Sequence, residues 1–388
     1  MSAEDAAAAP RLGRDTVRDL VRSVLDDPGA ELTDWTEQVL YGGASNSLVV
    51  RLAGVAAGTD GPRPWSLAVK FLRVGADDWQ ARGLEPSHWR YWKRDWHVYQ
   101  APWVTDLDPD FGPPRIYGVG ELTSTTAWIA MENLTAPTVR WPPGRFPQVA
   151  RILGRMNGRF LTDRPLPDEP WLTRDYVRMY VDMAEPLLNQ LTELAKAPPL
   201  RDIYPPDAVR DLQSFWEERE RFHAALAACP QVFSHFDVFT RNAFLTENST
   251  GGLQVTAIDW ELCGVVPVGG ELSPLTGSSL ALVDLSPDIA EAVTAACLDA
   301  YLEGLADVGA VVDPARVEFA ALAVNTLRNA LGGTVPVVNL LHDPTMHPVA
   351  EQIFGVPVQT VVENSAAYIQ ILRAQIVRAR LLLAALMP

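Results

Sequence analysis

The stretch VFSHFDVFTRNAFLTENSTGGLQVTAIDWELCG occupies residues 232–264 of the chain. Two short apolar segments in it, Phe244-Leu245 and Val255–Ile258, flank the polar turn ENSTGG, and this pattern predicts a β-hairpin. Asn242 precedes the first segment and Asp259 follows the second. A hairpin brings the residues just outside its two strands together. We therefore expect the side chains of Asn242 and Asp259 to lie near one point.

The polar residues around this hairpin have the order and chemistry that phosphoryl transfer requires. His235 stands two residues before Asp237, and Asn242 lies five residues after that aspartate. Phosphoryl transfer needs positioning and charge neutralisation, so Asp237 is predicted to orient or deprotonate an attacking hydroxyl. Asn242 and Asp259 carry hard oxygen ligands of the kind that Mg²⁺ prefers. His235 is assigned to the same catalytic group, and we expect it to brace the loop by hydrogen bonding.

Any one aspartate in such a loop is usually a turn or cap residue, and the complete spacing is much rarer than any single residue. Arg241 also lies inside this loop. It is predicted to act with the catalytic residues by contacting the transferred phosphoryl group or a substrate oxygen.

A lysine within an apolar strand supplies a second signal. Lys70 lies in LAVKFL, and burying its ammonium is costly unless anions such as nucleotide phosphates face it. The alternative is an edge-strand lysine that points to water. The turn Gly42–Ser47 comes earlier in the chain, and its small residues let backbone amides and polar side chains approach phosphate. The turn residues predicted to bind the nucleotide are Gly43, Ser45 and Asn46.

The surrounding pattern predicts an α+β fold with two lobes. Period-two apolar patterns and turn residues predict five strands, at 35–41, 47–52, 65–72, 114–119 and 127–132. A helix is predicted over 87–100, between the third and fourth of these strands. The first lobe, residues 1–133, is therefore expected to hold a five-stranded antiparallel sheet and one helix. The second lobe, residues 134–388, is predicted to be mainly helical, with helices at 146–162, 173–195, 206–227, 285–306, 313–332 and 357–386.

Seven pieces of the sequence together resemble the aminoglycoside phosphotransferase family. In chain order they are GGASNSLVVRL, LAVKFL, YWKRDW, WIAMENL, ILGRMNG, SHFDVFTRN and AIDWE. This family has a two-lobed protein-kinase-like fold, and the resemblance spans residues 35–275. It implies transfer of the γ-phosphoryl group of ATP, with Mg²⁺, to a hydroxyl of a small molecule. The nucleotide would lie between the lobes, beneath the Gly42–Ser47 turn. IDW in place of DFG, together with the lack of an APE-type segment, argues against a protein kinase.

The resemblance also implies roles for further residues. Backbone groups near Met131, Glu132 and Asn133 would hydrogen-bond the adenine ring. A carboxylate would pair with Lys70, and Asp95 occupies the expected place although it is one methylene shorter than the family's glutamate. Glu85 is the alternative.

The helical lobe is expected to select the acceptor, since substrate selection in the family lies there. Acidic residues there could bind amines, although a solvated helix face is the favoured interpretation for any single one. These residues are Asp175, Asp182, Glu185, Glu217, Glu218, Glu261 and Glu271. Glu271-Leu272 stands where the family often has an aspartate in a DLA segment. Core packing is the favoured interpretation for Trp171, Trp216 and Phe222.

Composition limits the other classes of function. The net charge of −16 disfavours nucleic acid and anionic membranes as partners and favours a cationic small molecule, with general solubility as an equal alternative. The three cysteines form no CxxC pair, so neither a disulfide framework nor a zinc site is predicted. A signal peptide and a membrane-spanning run are absent from the sequence pattern, which favours a cytoplasmic location.

Three functions fit these observations. The first is a kinase of an antibiotic or secondary metabolite, acting in resistance or biosynthesis. The second is a kinase of a primary metabolite such as a sugar, a choline-like amine or a nucleoside. The third is an inactive nucleotide-binding scaffold, against which the presence of Lys70, Asp237, Asn242 and Asp259 argues.

Overall fold

A computed structural model describes residues 10–42, 47–59, 61–74, 82–134, 140–248 and 251–386. The chain divides into two compact units. The first unit comprises residues 1–105 and 113–136, and the second comprises residues 106–112 and 137–388. The predicted boundary at residue 133 assigned residues 106–112 to the first lobe, whereas in the structure they belong to the second unit.

The first unit contains the predicted five-stranded antiparallel sheet, and the predicted fold class is confirmed. Its strands follow one another in the order β1-β2-β3-β6-β5, so β3 is the central strand. The strands are β1 (Glu31–Gly42), β2 (Ser47–Gly58), β3 (Gly61–Arg73), β5 (Ile116–Thr123) and β6 (Thr126–Glu132). The strand numbered β4 (Phe111–Gly112) belongs to the second unit.

One face of this sheet is covered by helix α1 (Arg14–Leu25). The buried face of α1 packs into one core with alternate residues of β3, among them Leu67, Val69 and Phe71. Side chains alternate between the two faces of a strand, so Lys70 projects from the face opposite this core. In the sheet Lys70 pairs with Val49 on one side and Ile129 on the other.

The helix predicted over 87–100 is mostly absent. Only Arg94–Val98 is α-helical, and it is named α2. The Arg94 side chain is completely buried, and its guanidinium donates to the carbonyl of Trp89 at 2.7 Å and to that of His88 at 2.6 Å. The His88 carbonyl also accepts from the Tyr91 amide at 2.9 Å, three residues later, and the Trp92 amide donates to the Gly83 carbonyl, so the helical pattern of bonds four residues apart is not formed. The Trp periodicity arises in a turn-rich segment, and the prediction was wrong for residues 87–93.

The second unit is mainly helical, as predicted. Its longer helices are α3 (Arg145–Thr162), α8 (Pro206–Ala227), α10 (Pro287–Asp307), α11 (Pro314–Asn325) and α14 (Val358–Leu386). Shorter helices are α4 (Tyr176–Asp182), α5 (Glu185–Leu188), α6 (Leu191–Leu194), α7 (Leu200–Ile203), α9 (Ser279–Ala281), α12 (Thr334–Leu341) and α13 (His347–Phe354). The helix predicted over 173–195 is thus broken into α4, α5 and α6. Pro186 lies in the first turn of α5, where its missing amide is tolerated, and a helix continuing from α4 would need that amide.

Two turns of π-helix were not predicted. One covers Ser273–Ser278, and the other, Thr326–Gly332, continues directly from α11. The sequence pattern predicted one uninterrupted helix over 313–332. The π-helical segment changes the direction of the side chains in the last two turns of that predicted helix. Such segments occur frequently at functional sites.

Helices α3 and α10 approach each other closely enough to require glycine. A Cβ on Gly154 would lie 2.2 Å from the carbonyl oxygen of Tyr301, and a Cβ on Gly304 would lie 2.1 Å from that of Arg151. Next to this contact, Tyr301 donates to Oδ1 of Asn157 at 2.6 Å. Asn157 in turn donates to the carbonyl of Phe233 at 2.8 Å. The close helix pair therefore holds the strand that leads into the predicted catalytic loop.

That strand, β7 (Gln231–Ser234), pairs antiparallel with β10 (Gly264–Pro267). The predicted hairpin is present as β8 (Ala243–Glu247) and β9 (Leu253–Ala257), and β4 pairs with β9 in parallel. Across the part of the chain that the structure describes, none of the helices has the length and apolar character needed to cross a membrane.

Candidate active site

The hairpin places Asn242 beside the segment that ends at Asp259. Ala243 of β8 pairs with Ala257 of β9, and one residue further along each strand the Ile258 amide donates to the Asn242 carbonyl at 2.9 Å. Asn242 and Asp259 are therefore held at the same end of the hairpin. This is the geometry that their spacing in the sequence predicted.

His235 connects the segment before the hairpin to the residue that precedes Asp259. Its Nδ1 accepts a hydrogen bond from the Asp237 amide at 3.2 Å, so the ring proton lies on Nε2 and is donated to the Ile258 carbonyl at 3.1 Å. The ring packs 4.3 Å from the ring of Trp260, measured between centroids. Both ring nitrogens are engaged with the backbone, which agrees with a bracing role.

The carboxylate of Asp237 has a partner on each oxygen. Asn242 donates from Nδ2 to Oδ2 at 2.7 Å, and Arg328 donates from Nη2 to Oδ1 at 2.9 Å. Burial raises the pKa of the Asp237 carboxyl, the Arg328 guanidinium opposes that rise, and the nearby charge of Asp259 adds to it. The Asp237 side chain keeps 15% of its surface exposed, so the carboxylate can still be reached.

Two residues in the site have left-handed backbone conformations. Phe236 has φ of 60° and Asp259 has φ of 65°. Such a conformation costs a non-glycine residue on the order of 1–3 kcal/mol, and it persists only where its surroundings impose it. At Phe236 the amide donates to Oε1 of Glu271 at 3.1 Å, and the fully buried ring meets Tyr176 edge to face. The strain therefore lies in the residues next to the predicted base and at the predicted metal ligand.

Glu271, at the position where the sequence departs from the DLA pattern, lies beneath the catalytic loop. It is completely buried, and its carboxyl accepts hydrogen bonds from the Ser234 hydroxyl and the Phe236 amide. Burial raises the pKa of Glu271 to about 8, and the Phe236 amide partly offsets this rise. Glu271 therefore supports the loop and does not form part of an acidic substrate surface.

In the first unit, Lys70 forms an ion pair with Asp95. The Lys70 Nζ lies 2.7 Å from Oδ2 of Asp95, and the two side chains are 9% and 1% exposed. Lys70 is on the central strand of the sheet, so the alternative of an edge-strand lysine is excluded. Glu85, the other candidate partner, is exposed in the turns before α2. The short Asp95 side chain reaches Lys70 directly.

The segment predicted to bind adenine is at the end of β6. The Glu132 amide donates to the Arg115 carbonyl at 2.9 Å, and the Glu132 carbonyl accepts from the Leu134 amide at 3.1 Å. Met131 is buried and pairs with its neighbours in the sheet. Among these three residues, only the Asn133 amide makes no backbone hydrogen bond to another described residue. The predicted turn residues Gly43, Ser45 and Asn46 lie outside the described residues.

Arg241 has different partners from those predicted. Its guanidinium donates to the Asp284 carboxylate at 2.8 and 3.0 Å, to the Ile353 carbonyl at 2.5 Å and to the Leu282 carbonyl at 3.0 Å. All three of its nitrogens are therefore engaged within the second unit. The side chain thus fastens the catalytic loop to the segment around Asp284, and a contact of Arg241 with the phosphoryl group stays a prediction.

Arg328 is the residue that sequence reasoning missed. It is 8% exposed and lies in the π-helical turn after α11. The signal available in the sequence was an arginine as the one charged residue of the segment AVNTLRNALGG. A buried arginine needs an anionic partner, and nothing in the local sequence indicates that this partner is Asp237.

The predicted residues of the helical unit differ in their surroundings, since the aromatic residues Phe222 and Trp171 are buried and most of the acidic residues are exposed. Glu218 forms an ion pair with Arg380, with distances of 2.7 and 3.0 Å. Phe222 is buried against Phe215, and Trp171 is 7% exposed. Glu261 and Asp175 are exposed.

Comparison with known proteins gives a family and a fold. The sequence model of the phosphotransferase enzyme family matches residues 5–318. No curated protein sequence matches the chain. Among solved structures, spectinomycin phosphotransferase in complex with ADP and spectinomycin matches with a TM-score of 0.51 at 13% identity, covering 94% of this chain and 100% of that one. At this identity the likeness concerns the fold, which is kinase-like.

Two further structures are similar over most of their length. Choline kinase from Cryptosporidium parvum Iowa II matches at 9% identity with a TM-score of 0.49, covering 94% of this chain and 95% of that one. Amicoumacin kinase in complex with AMP-PNP, Ca²⁺ and Ami matches at 11% identity with a TM-score of 0.48, covering 94% of this chain and 97% of that one. The family match extends over most of the chain, and we conclude that this protein belongs to the phosphotransferase enzyme family.

Proposed function

We propose that the chain transfers the γ-phosphoryl group of ATP to a hydroxyl of a small molecule, specifically an antibiotic or another secondary metabolite. The observation that supports this most directly is the position of Asn242. Its side chain bonds to Asp237 at 2.7 Å, and its carbonyl bonds to the residue before Asp259 at 2.9 Å. One residue thus joins the proposed base to the proposed metal ligand.

The proposed reaction needs few covalent steps from the protein. The acceptor oxygen forms a bond to the γ-phosphorus, the bond from that phosphorus to the bridging oxygen breaks, and ADP leaves with the electron pair. Asp237 receives or directs the hydroxyl proton. Lys70 is proposed to bind nucleotide phosphates, with Asp95 holding its ammonium in place.

The donor set fits Mg²⁺. Asp259 supplies a carboxylate, and Asn242 uses Nδ2 for Asp237, so its Oδ1 is the atom proposed to face a cation. Within the described ranges no cluster of three or more His, Cys, Asp or Glu side chains could hold a metal ion. This fits an ion whose remaining ligands are water and phosphate oxygens. When bound, Mg²⁺ would neutralise charge on the phosphates.

The test is a coupled ADP-release assay with ATP, Mg²⁺ and a panel of hydroxylated acceptors. The panel contains aminoglycosides, macrolides, nucleosides, peptide antibiotics, choline and simple sugars, and mass spectrometry detects a product heavier by one phosphoryl group. We expect product with an antibiotic-like acceptor. Turnover of choline, a nucleoside or a sugar alone would instead establish the primary-metabolite kinase.

Asp237→Ala provides the specific control for this assay. We expect it to reduce turnover by about 10²–10⁴-fold while nucleotide binding is retained, because a positioned base contributes about that factor. Asp168→Ala is the matched aspartate variant, since Asp168 is fully exposed beside Arg174, and it should behave as the unchanged protein does. ATP binding without product from any acceptor would favour the inactive scaffold.

A further inference from the structure

We propose that Arg328 is a positioning residue for phosphoryl transfer, holding the Asp237 carboxylate in the orientation that receives the acceptor hydroxyl. This inference rests on the proposed function, and it adds a residue that lies 91 positions from Asp237 in the sequence.

The contact is made to both the side chain and the backbone of the catalytic loop. Arg328 donates from Nη2 to Oδ1 of Asp237 at 2.9 Å and from Nη1 to the Phe236 carbonyl at 3.1 Å. A planar guanidinium that bonds two groups of one loop constrains their relative orientation, which a lysine ammonium does less well. Asn242 constrains the other carboxylate oxygen at 2.7 Å. The Asp237 carboxylate is therefore held from two sides.

The direction of the Arg328 side chain is itself determined by its neighbours. Its guanidinium carbon lies 5.5 Å from the ring centroids of both Tyr176 and Phe236. Contact with aromatic rings favours a cation and restricts the plane of the guanidinium. Tyr180 stacks on Tyr176, with ring centroids 5.5 Å apart. This arrangement leaves Arg328 little freedom to turn away from Asp237.

A polar network within the second unit holds the backbone that carries Arg328. Asn325 lies just before the π-helical turn and donates to Oε1 of Gln375 at 2.7 Å. Its Oδ1 accepts from Asn329 at 2.8 Å and from Tyr368 at 3.4 Å. On the facing π-helical turn, a Cβ on Gly277 would lie 2.0 Å from the same Oδ1. The network thus anchors the first part of the turn to α14, and Ser273, which donates to the same Oδ1 at 3.3 Å, connects it to the segment after Glu271.

Other charged groups surround the same carboxylate and do not replace Arg328. Asp259 and Glu271 carry carboxyl groups near Asp237. The charge of Glu261 lies close enough to Tyr176 to help raise the pKa of its hydroxyl. In the described part of this site, Arg328 is the cationic side chain that forms an ion pair with Asp237. Removing it would leave Asp237 among carboxyl groups and remove the hydrogen bond that orients Oδ1.

The experiment compares Arg328→Lys and Arg328→Met with the unchanged chain, using the acceptor identified above. We expect kcat to fall about 100-fold in Arg328→Met, because a displacement of about 1 Å in a reacting group costs about that factor. KM for ATP should change by less than about twofold, since the hydrogen bonds of Arg328 go to Asp237 and Phe236 and not to a residue proposed to bind the nucleotide. Arg328→Lys should recover part of kcat, and so should methylguanidinium added to Arg328→Ala.

Arg378→Met is the matched control. Arg378 forms a surface ion pair with Glu318 and is 54% exposed, so its loss should leave kcat unchanged. Circular dichroism and thermal unfolding of every variant give the folded fraction. If Arg328→Met loses activity only in proportion to that fraction, or retains full kcat, the inference is wrong and the proposed function stands.

A second measurement needs no acceptor. With ¹³C-labelled aspartate, the Asp237 carboxyl resonance is assigned by its loss in Asp237→Asn. We expect Arg328→Met to shift and broaden this resonance, and Arg378→Met to leave it in place. If the unchanged chain phosphorylates nothing, the proposed function fails. In that case a displaced resonance still supports positioning by Arg328, and an unmoved resonance overturns it.

Discussion

Lys70 and Asp95 form a buried ion pair, with 2.7 Å between the ammonium nitrogen and Oδ2 of the carboxylate. The pair joins the central strand of the sheet to the single helical turn that remains of a longer predicted helix. Asp95, one methylene shorter than the glutamate expected from the family resemblance, reaches the lysine directly from α2. The position of this turn therefore compensates for the missing methylene.

Asp95→Asn should destabilise the protein by about 3–5 kcal/mol, since it leaves the Lys70 ammonium buried without its carboxylate. Glu121→Gln is the matched control, because Glu121 pairs with Lys93 and is 46% exposed. Loss of an exposed pair costs about 0–1 kcal/mol. Chemical denaturation measures both variants. Equal losses in the two would show that burial does not govern the Lys70–Asp95 pair.

Asp259→Asn should weaken nucleotide binding in the presence of Mg²⁺ by about tenfold or more, and it should have little effect when EDTA removes the metal. A charge-assisted interaction is worth about 1.5–3 kcal/mol, which corresponds to that range. Asparagine tolerates the left-handed backbone of Asp259, so the fold should be retained. Isothermal titration calorimetry with and without Mg²⁺ gives the comparison.

Asp26→Asn is a control for backbone conformation in that experiment. Asp26 is exposed and also left-handed, with φ of 50°. It should bind nucleotide as the unchanged chain does. A Mg²⁺-independent loss of binding in Asp259→Asn would contradict the assignment of Asp259 as a metal ligand.

Arg241→Met should reduce stability by about 3–5 kcal/mol, because it leaves the Asp284 carboxylate, 3% exposed, without its guanidinium partner. Adding Asp284→Asn to the same chain should recover much of that loss, since the uncompensated charge disappears. Turnover per folded molecule should fall less than about tenfold. A fall of 10³-fold with normal stability would place Arg241 in the catalytic group.

Glu271→Gln should flatten the pH dependence of stability. The folded pKa of about 8 is raised above the usual 4.5, so the folded state binds a proton that the unfolded state releases between those values. Stability of the unchanged chain should therefore fall as pH rises from about 4.5 to about 8, at up to about 1.4 kcal/mol per pH unit. Denaturation at a series of pH values measures the slope.

A glutamate with an exposed side chain provides the comparison for that slope. Glu303 is 61% exposed beside Arg151, so Glu303→Gln should leave the pH profile as it is. The same slope in Glu271→Gln and in the unchanged chain would show that Glu271 is ionised in the folded protein at neutral pH.

Local patterns were sufficient to predict most elements and the centre of the site. Alternating apolar residues predicted the sheet, and the spacing of His235, Asp237, Asn242 and Asp259 predicted a loop and hairpin whose hydrogen bonds are now seen. Those residues lie within 25 positions of one another, so short-range backbone geometry is enough to bring them together.

Sequence patterns were least informative where the hydrogen bonds of an arginine side chain changed a local preference. The Trp periodicity at 87–93 indicated a helix, but the buried Arg94 guanidinium takes the carbonyls that a helix would use. Arg241 looked catalytic from its position in the loop, yet Asp284, 43 residues away, binds it. In both cases an arginine has hydrogen-bond partners that hydrophobic periodicity does not encode, because periodicity reports apolar burial and not the acceptors of a guanidinium.

The amino-acid order was thus enough for the fold class and for the groups that are proposed to perform the chemistry, since these follow from periodicity and short spacing, and the resemblance of its motifs indicated the family. Tertiary structure decided between Asp95 and Glu85 as the partner of Lys70, placed Glu271 beneath the loop and brought Arg328 to Asp237. The same physical reason applies to all three. A charged group that is removed from water needs a partner close to it in space, and the residue that supplies this partner can lie anywhere in the sequence.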